Sequence, residues 1–180
     1  GLVCSPTQWP GASPTRALLD DLHVPASYVS LDKQRRNAAL ANPCPVEELV
    51  EWSLLDSGNY CLLGYEKGEK VAVQVAEGGE VLWRYRDTAG KDKWLVHPPV
   101  AGPGGAVVAL TDHGVVAIKK GSAAWTHPFG GTVQAGFACA LSDGSVLATH
   151  DDTLQHLDGN GKALFTLKLD KPIVGPPAVD

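Results

Sequence analysis

Several things this chain lacks narrow its class before anything it contains is considered. It has no Met at all, and that absence, initiator included, sets the expectation that the chain is processed at its N-terminus or is a piece of something longer. No apolar run approaches the roughly 18 to 20 residues that a membrane-spanning helix needs, so no membrane span is expected. Lys and Arg number 15 against 20 Asp and Glu, a formal net charge of -5. The basic residues are scattered apart from Lys33 with Arg35 and Arg36, and Lys91 with Lys93. Without a basic face there is nothing to release counterions from a phosphate backbone, and a nucleic-acid partner is not expected.

The chemistry-bearing motifs are missing too. There is no Gly-x-Ser-x-Gly elbow, no P-loop and no dinucleotide fingerprint, and no Ser or Cys has a base at a spacing that would activate it. No catalytic residue is assigned, and the chain is expected not to be an enzyme. The four cysteines, Cys4, Cys44, Cys61 and Cys139, show no CxxC or Cys/His zinc spacing. Cys4 and Cys44 bracket an irregular N-terminal segment, and a disulfide between them is expected in an oxidising compartment; four reduced, mostly buried thiols are the alternative. Two further groups invite a metal. Asp158-Gly159-Asn160-Gly161-Lys162 starts like a calcium loop, but Lys162 falls where an oxygen ligand belongs and Ala163 where Gly is needed, so a tight hairpin turn is the expectation. His150, Asp151, Asp152 and His156 lie close in sequence. If the flanking strands form a hairpin, however, His150 sits at its turn and His156 near the far end of a strand, which leaves a solvated turn and no assigned metal site.

What is present falls into two textures. Residues 1–46 carry Pro6, Pro10, Pro14, Pro25, Pro43 and Pro45 around two short helix candidates. The first has Ser13 as cap, Pro14 at the first turn, and Leu18, Leu19 and Leu22 on one face; the second spans 32–41 and stops before Asn42-Pro43. This segment reads as an extension packed on the main body. From 47 to 180 the chain changes to short Val-, Leu-, Ala- and Trp-rich runs separated by turns such as Lys67-Gly68, Asp112-His113-Gly114 and Asp143-Gly144.

Those runs repeat. Glu80-Val81-Leu82-Trp83, Ser122-Ala123-Ala124-Trp125 and Lys162-Ala163-Leu164-Phe165 place an aromatic after each Gly-rich turn, at spacings of 42 and 40 residues. Gly105-Ala106-Val107 and Gly144-Ser145-Val146 repeat at 39. Four strands fit in each period: 49–55, 60–65, 70–75 and 80–85; then 99–102, 106–111, 115–119 and 123–127; then 133–141, 145–149, 153–157 and 163–168. Four strands per 40-odd residues is the unit of a β-propeller blade, which buries its faces only against its neighbours. The expected fold is therefore mainly β: a partial propeller of about three four-stranded antiparallel blades, the last repeat cut off at Pro176-Pro177-Ala178-Val179-Asp180, which looks like the first strand of a fourth.

The succession of Pro98-Pro99-Val100, Gly105-Ala106-Val107, Asp112-His113-Gly114 and Ala124-Trp125, with Asp143-Gly144-Ser145-Val146, Leu157-Asp158-Gly159-Asn160-Gly161 and Leu164-Phe165 in the following unit, resembles the pyrroloquinoline-quinone-like (PQQ-like) β-propeller repeat. The resemblance covers about three quarters of the chain and excludes the extension. Many proteins with such repeats bind no quinone and act as docking platforms. No calcium-ligand set and no vicinal Cys pair for a quinoprotein site can be placed here, so no cofactor is assigned. The resemblance implies a non-enzymatic scaffold or accessory subunit whose partners are other protein subunits. A fragment of an extracytoplasmic ligand-binding or quinoprotein-type propeller is the alternative. Periplasmic or extracellular localisation is implied by the same repeats. Trp83, Trp125 and Phe165, at blade spacing, are expected to wedge between blades. Trp9 and Trp94 lie outside the repeated positions and are expected to be exposed partner anchors.

Overall fold

The computed structural model describes residues 2–3, 46–55, 57–77, 79–87 and 90–176. The two helix candidates, the Cys4–Cys44 pair and Trp9 lie outside the described residues.

The chain divides into two compact units, residues 1–84 and 85–180. Its strands form three antiparallel meanders of blade type, so the architecture is that of a mainly β, partial propeller. The first sheet has the order β1 (Leu2–Val3), β2 (Glu48–Leu54), β3 (Tyr60–Glu66), β4 (Glu69–Val75) and β5 (Val81–Asp87). It holds five strands where four were expected, because Leu2 and Val3 pair antiparallel with Leu49 and Glu48 and continue the ladder at its edge. Lys67 and Gly68 both adopt positive φ, 51° and 79°. That is the backbone twist a two-residue hairpin needs to bring Glu66 opposite Glu69. One face of this sheet gathers Val46, Leu49, Tyr60, Leu62, Val71, Val73 and Val75 into a core, with Trp52 and Leu54 at its margin.

The second unit contains the other two sheets. One has the order β6 (Val100–Ala101), β7 (Val107–Thr111), β8 (Gly114–Lys119) and β9 (Ser122–Pro128). The other has β10 (Gly136–Ala140), β11 (Val146–His150), β12 (Thr153–Leu157) and β13 (Ala163–Lys168). Burial explains the composition of these strands. β7 and the first five residues of β8 are buried on both faces, which suits their unbroken runs of Val, Ala, Leu and Ile. β9 and β13 are largely exposed and carry Ser, Thr, His and Lys among their apolar residues.

The two sheets of this unit pack face to face. Val108, Leu110, Val115 and Ala117 of the first meet Ala138, Val146, Ala148 and Leu157 of the second, with Leu95 and Val133 from the connections completing the core. Burying a side chain of Leu or Val size stabilises the fold by about 1.5–3 kcal/mol. This interface is therefore the main cohesive element of the unit.

Candidate interaction surface

Three polar links fix how the two sheets of the second unit meet. Trp125 Nε1–H donates to the Gly159 carbonyl at 2.9 Å. His127 Nδ1 meets the Gly161 carbonyl at 3.0 Å, as donor. Ala138 N–H donates to His97 Nε2 at 3.0 Å. The turn that receives two of these is itself tightly built: Asp158 Oδ1 accepts the N–H groups of Asn160 and Lys162. Those bonds hold the Asp158 carboxyl below its ordinary range, the Lys162 N–H contributing most. Asp158 thus closes a hairpin with its own backbone.

The opposite face of the third sheet has a different character. Cross-strand registers align Phe137, Thr149, Leu154 and Leu167 in one row and Cys139, Leu147, His156 and Phe165 in the next. These rows alternate with Ala138, Ala148 and Leu157, which face the neighbouring sheet. Phe137, Cys139, Leu147 and Leu154 are half-buried, while Phe165 and Leu167 are 49% and 47% exposed. His156 stacks edge-on against Phe165, with ring centroids 5.2 Å apart. An apolar sheet face of this extent, carrying two aromatics and three leucines, is the chain's candidate interaction surface.

The expected site residues fall in different places. Trp125 bridges the two sheets of its unit through Gly159 and Gly161. Phe165 stands on the open face, and Trp83 is half-buried on β5. Trp94 departs from its expected role as an exposed anchor, because it is only 4% exposed. The connection that carries it runs beside β7: Trp94 bridges to Thr111, Leu95 N–H donates to Leu110 O, and Asp112 N–H donates to Lys93 O. Backbone pairing there draws the indole into the fold. His150 likewise is not on a solvated turn. It is buried and stacked on Phe129 at a centroid distance of 4.2 Å, and burial pushes its pKa below the ordinary value.

Two polar constellations escaped sequence reasoning, since cross-strand register and loop return create them. In the first, Ser145 Oγ lies 2.6 Å from Asp143 Oδ1 and 2.7 Å from His156 Nε2. A base thus stands beside a hydroxyl, but Ser145 is only 5% exposed and Asp143 also accepts the Ser145 N–H. The serine is a buried strut between the Asp143 turn and strand β12. In the second, His113 Nδ1 meets Asp112 Oδ1 at 2.9 Å and Thr132 Oγ1 meets His113 Nε2 at 3.0 Å. The order of groups is that of an acyl-transfer relay. The imidazole is 52% exposed. Backbone bonds from Phe129 to His113 and from Val133 to Asp112 run alongside, so the constellation pins the loop following β9 to the β7–β8 hairpin. Among the described residues, no group of three or more His, Cys, Asp and Glu side chains is arranged to hold a metal ion.

No family model matches the chain, and no curated protein matches it. Among solved structures it is similar to a protein of unknown function from Bacteroides caccae, at 17% identity and a TM-score of 0.51, over 71% of this chain and 48% of that one. It is also similar to the WD40 domain of Neurospora crassa Pan2, at 12% identity and a TM-score of 0.48, over 68% and 39% of the two chains. The chain thus spans less than half the length of either. At such identity the first similarity is one of fold alone.

Among the described residues no helix is long and apolar enough to cross a membrane.

Proposed function

We propose that this chain is a non-enzymatic protein-interaction scaffold or accessory subunit of a larger assembly, built on an incomplete β-propeller. The observation that carries the reading is the open apolar face of the third sheet, where Phe165 and Leu167 stand half in water. Aromatic and aliphatic side chains presented on a rigid sheet are the usual anchors of a protein partner. The reading also includes the finer assignment of the repeats to the PQQ-like type, which the Pro-Pro-Val, Gly-x-Val and Asp-x-Gly markers support, and a periplasmic or extracellular location, which rests on that resemblance.

Intact mass of the protein isolated from its natural source, taken with the identity of copurifying chains, tests the reading. Stoichiometric protein partners that dissociate when Leu154 and Leu167 are replaced by Glu are expected. A monodisperse, partner-free monomer would sink it.

A further inference from the structure

The second and third sheets enclose polar atoms that the links between them leave unused. Among the described residues, His127 Nε2, His150 Nδ1 and Nε2, and Gln155 Oε1 are buried and meet no hydrogen-bond partner. Buried polar atoms are paired in the great majority of cases, so an unpaired set in one place points to a ligand.

Strand register gathers these side chains. His127 lies opposite Val115, on the face of the second sheet that meets the third. His150 follows Ala148 by two residues on the face that meets the second. Gln155 stands opposite Ala148, in the row between Val146–Leu157 and His150–Thr153. His127 enters this space from the side of the Gly161 turn, which follows Leu157, and Phe129, two residues further along, stacks on His150. The three side chains therefore share one stretch of the interface within the second unit. His127 is close enough to His150 for its charge to act on that imidazole.

Each imidazole is oriented from behind. His127 Nδ1 donates to Gly161 O at 3.0 Å, which fixes the proton there and leaves Nε2 with a lone pair. The Asp151 carboxylate, 3.8 Å from His150 Nδ1, favours the same tautomer in His150. Gln155 Oε1 can only accept. Three lone pairs thus face the interface with no proton among them. A water molecule has two protons to give and leaves one of the three unpaired, whereas a cation engages all of them. Two imidazole nitrogens and an amide oxygen suit a borderline ion such as Zn2+ better than Ca2+ or Mg2+, which take oxygen ligands. A carbonyl or carboxylate behind each imidazole is also the arrangement that holds metal-bound histidines in place. Asp151 and Asp152 act electrostatically on His150 and would offset the charge of the ion.

We propose that His127 Nε2, His150 Nε2 and Gln155 Oε1 hold a divalent transition-metal ion of the Zn2+ class between the second and third sheets, with water completing a four-coordinate shell. The ion joins β9 to β11 and β12 and adds to the hold that Trp125 has on the Gly161 turn. His156, on the opposite face of the third sheet, takes no part. The inference is independent of the open apolar face and goes beyond the scaffold reading.

The protein is stripped of metal with a chelator and titrated with Zn2+ while the ring-nitrogen signals of its histidines are followed by NMR. The His127 and His150 signals are expected to shift together and to stop shifting at one equivalent, with those of His97, His113 and His156 unmoved. The urea midpoint of unfolding should rise with Zn2+, because the ion binds only the folded arrangement. Gln155→Leu is expected to weaken binding by about tenfold or more, since even loss of an outer-shell partner costs that much. If the variant fails to fold, the titration of the unaltered chain still decides. No binding overturns the proposal, as does zinc that moves only other histidines or is held through cysteine. Unchanged affinity in a folded Gln155→Leu protein overturns it too.

Discussion

The ring of Trp125 lies so close over Gly161 that a Cβ on that glycine would stand 2.5 Å from Cε3 of the indole. The same indole donates its N–H to Gly159 O, two residues earlier in the same turn. One side chain of the second sheet is thereby both packed on and hydrogen-bonded to the hairpin of the third.

Replacing Trp125 by Phe keeps an aromatic over the turn but removes the donor, and is expected to cost about 1 kcal/mol. Trp125→Ala also removes the packing and is expected to cost about 3 kcal/mol. Urea unfolding followed by circular dichroism measures both; equal costs would mean that the ring contributes nothing beyond its hydrogen bond.

Gly161 has φ +79° as well as no room for a methyl group. Gly161→Ala is expected to cost about 3 kcal/mol, combining left-handed strain with displacement of the indole. Gly68 has the same φ and open space around it, so Gly68→Ala should cost only the backbone part, about 1 kcal/mol. In a double-mutant cycle with Trp125→Ala, the cost at Gly161 should fall towards that at Gly68.

Burial holds the His150 imidazole neutral and its pKa below the ordinary 6.5, against the opposing pull of Asp151 and Asp152 and with the help of His127 nearby. As pH falls, the unfolded chain takes up this proton first. Stability is therefore complete above about pH 6.5, declines below it, and levels off once the native imidazole also protonates. Urea midpoints from about pH 8 to about pH 5 should show this slope, and His150→Leu should flatten it. Asp143, Asp152 and Asp158 are held below 3.8, chiefly by the Ser145 hydroxyl, the Thr153 hydroxyl and the Lys162 N–H respectively. Their loss of stability on acidification falls in a separate, lower window.

Ser145→Ala removes the hydroxyl that does most to lower the Asp143 pKa. Carbon-detected NMR titration of that carboxyl should show its pKa rising towards 3.8, while His156 loses its 2.7 Å partner. An unmoved Asp143 titration would show that the hydroxyl bond is not made in solution.

The sequence by itself determined the strands and their turns. Repeated aromatics at Trp83, Trp125 and Phe165 and alternating or continuous apolar runs depend on local periodicity, so the twelve strands read from residues 49–168 coincide with β2 to β13 to within about three residues at each end. Positive-φ turns such as Lys67-Gly68 are local for the same reason. Only the tertiary structure decided which side chains meet. Nothing in the spacing of Trp94 tells that its connection pairs with Thr111 and carries the indole inward. The Ser145–His156 and His113–Thr132 contacts join residues 11 and 19 apart through strand register and a returning loop. The same holds for the distinction between Trp125 and Phe165, equivalent in sequence: one is covered by the next sheet and the other stands on an open face, because burial depends on what packs above a residue and not on its place in the repeat.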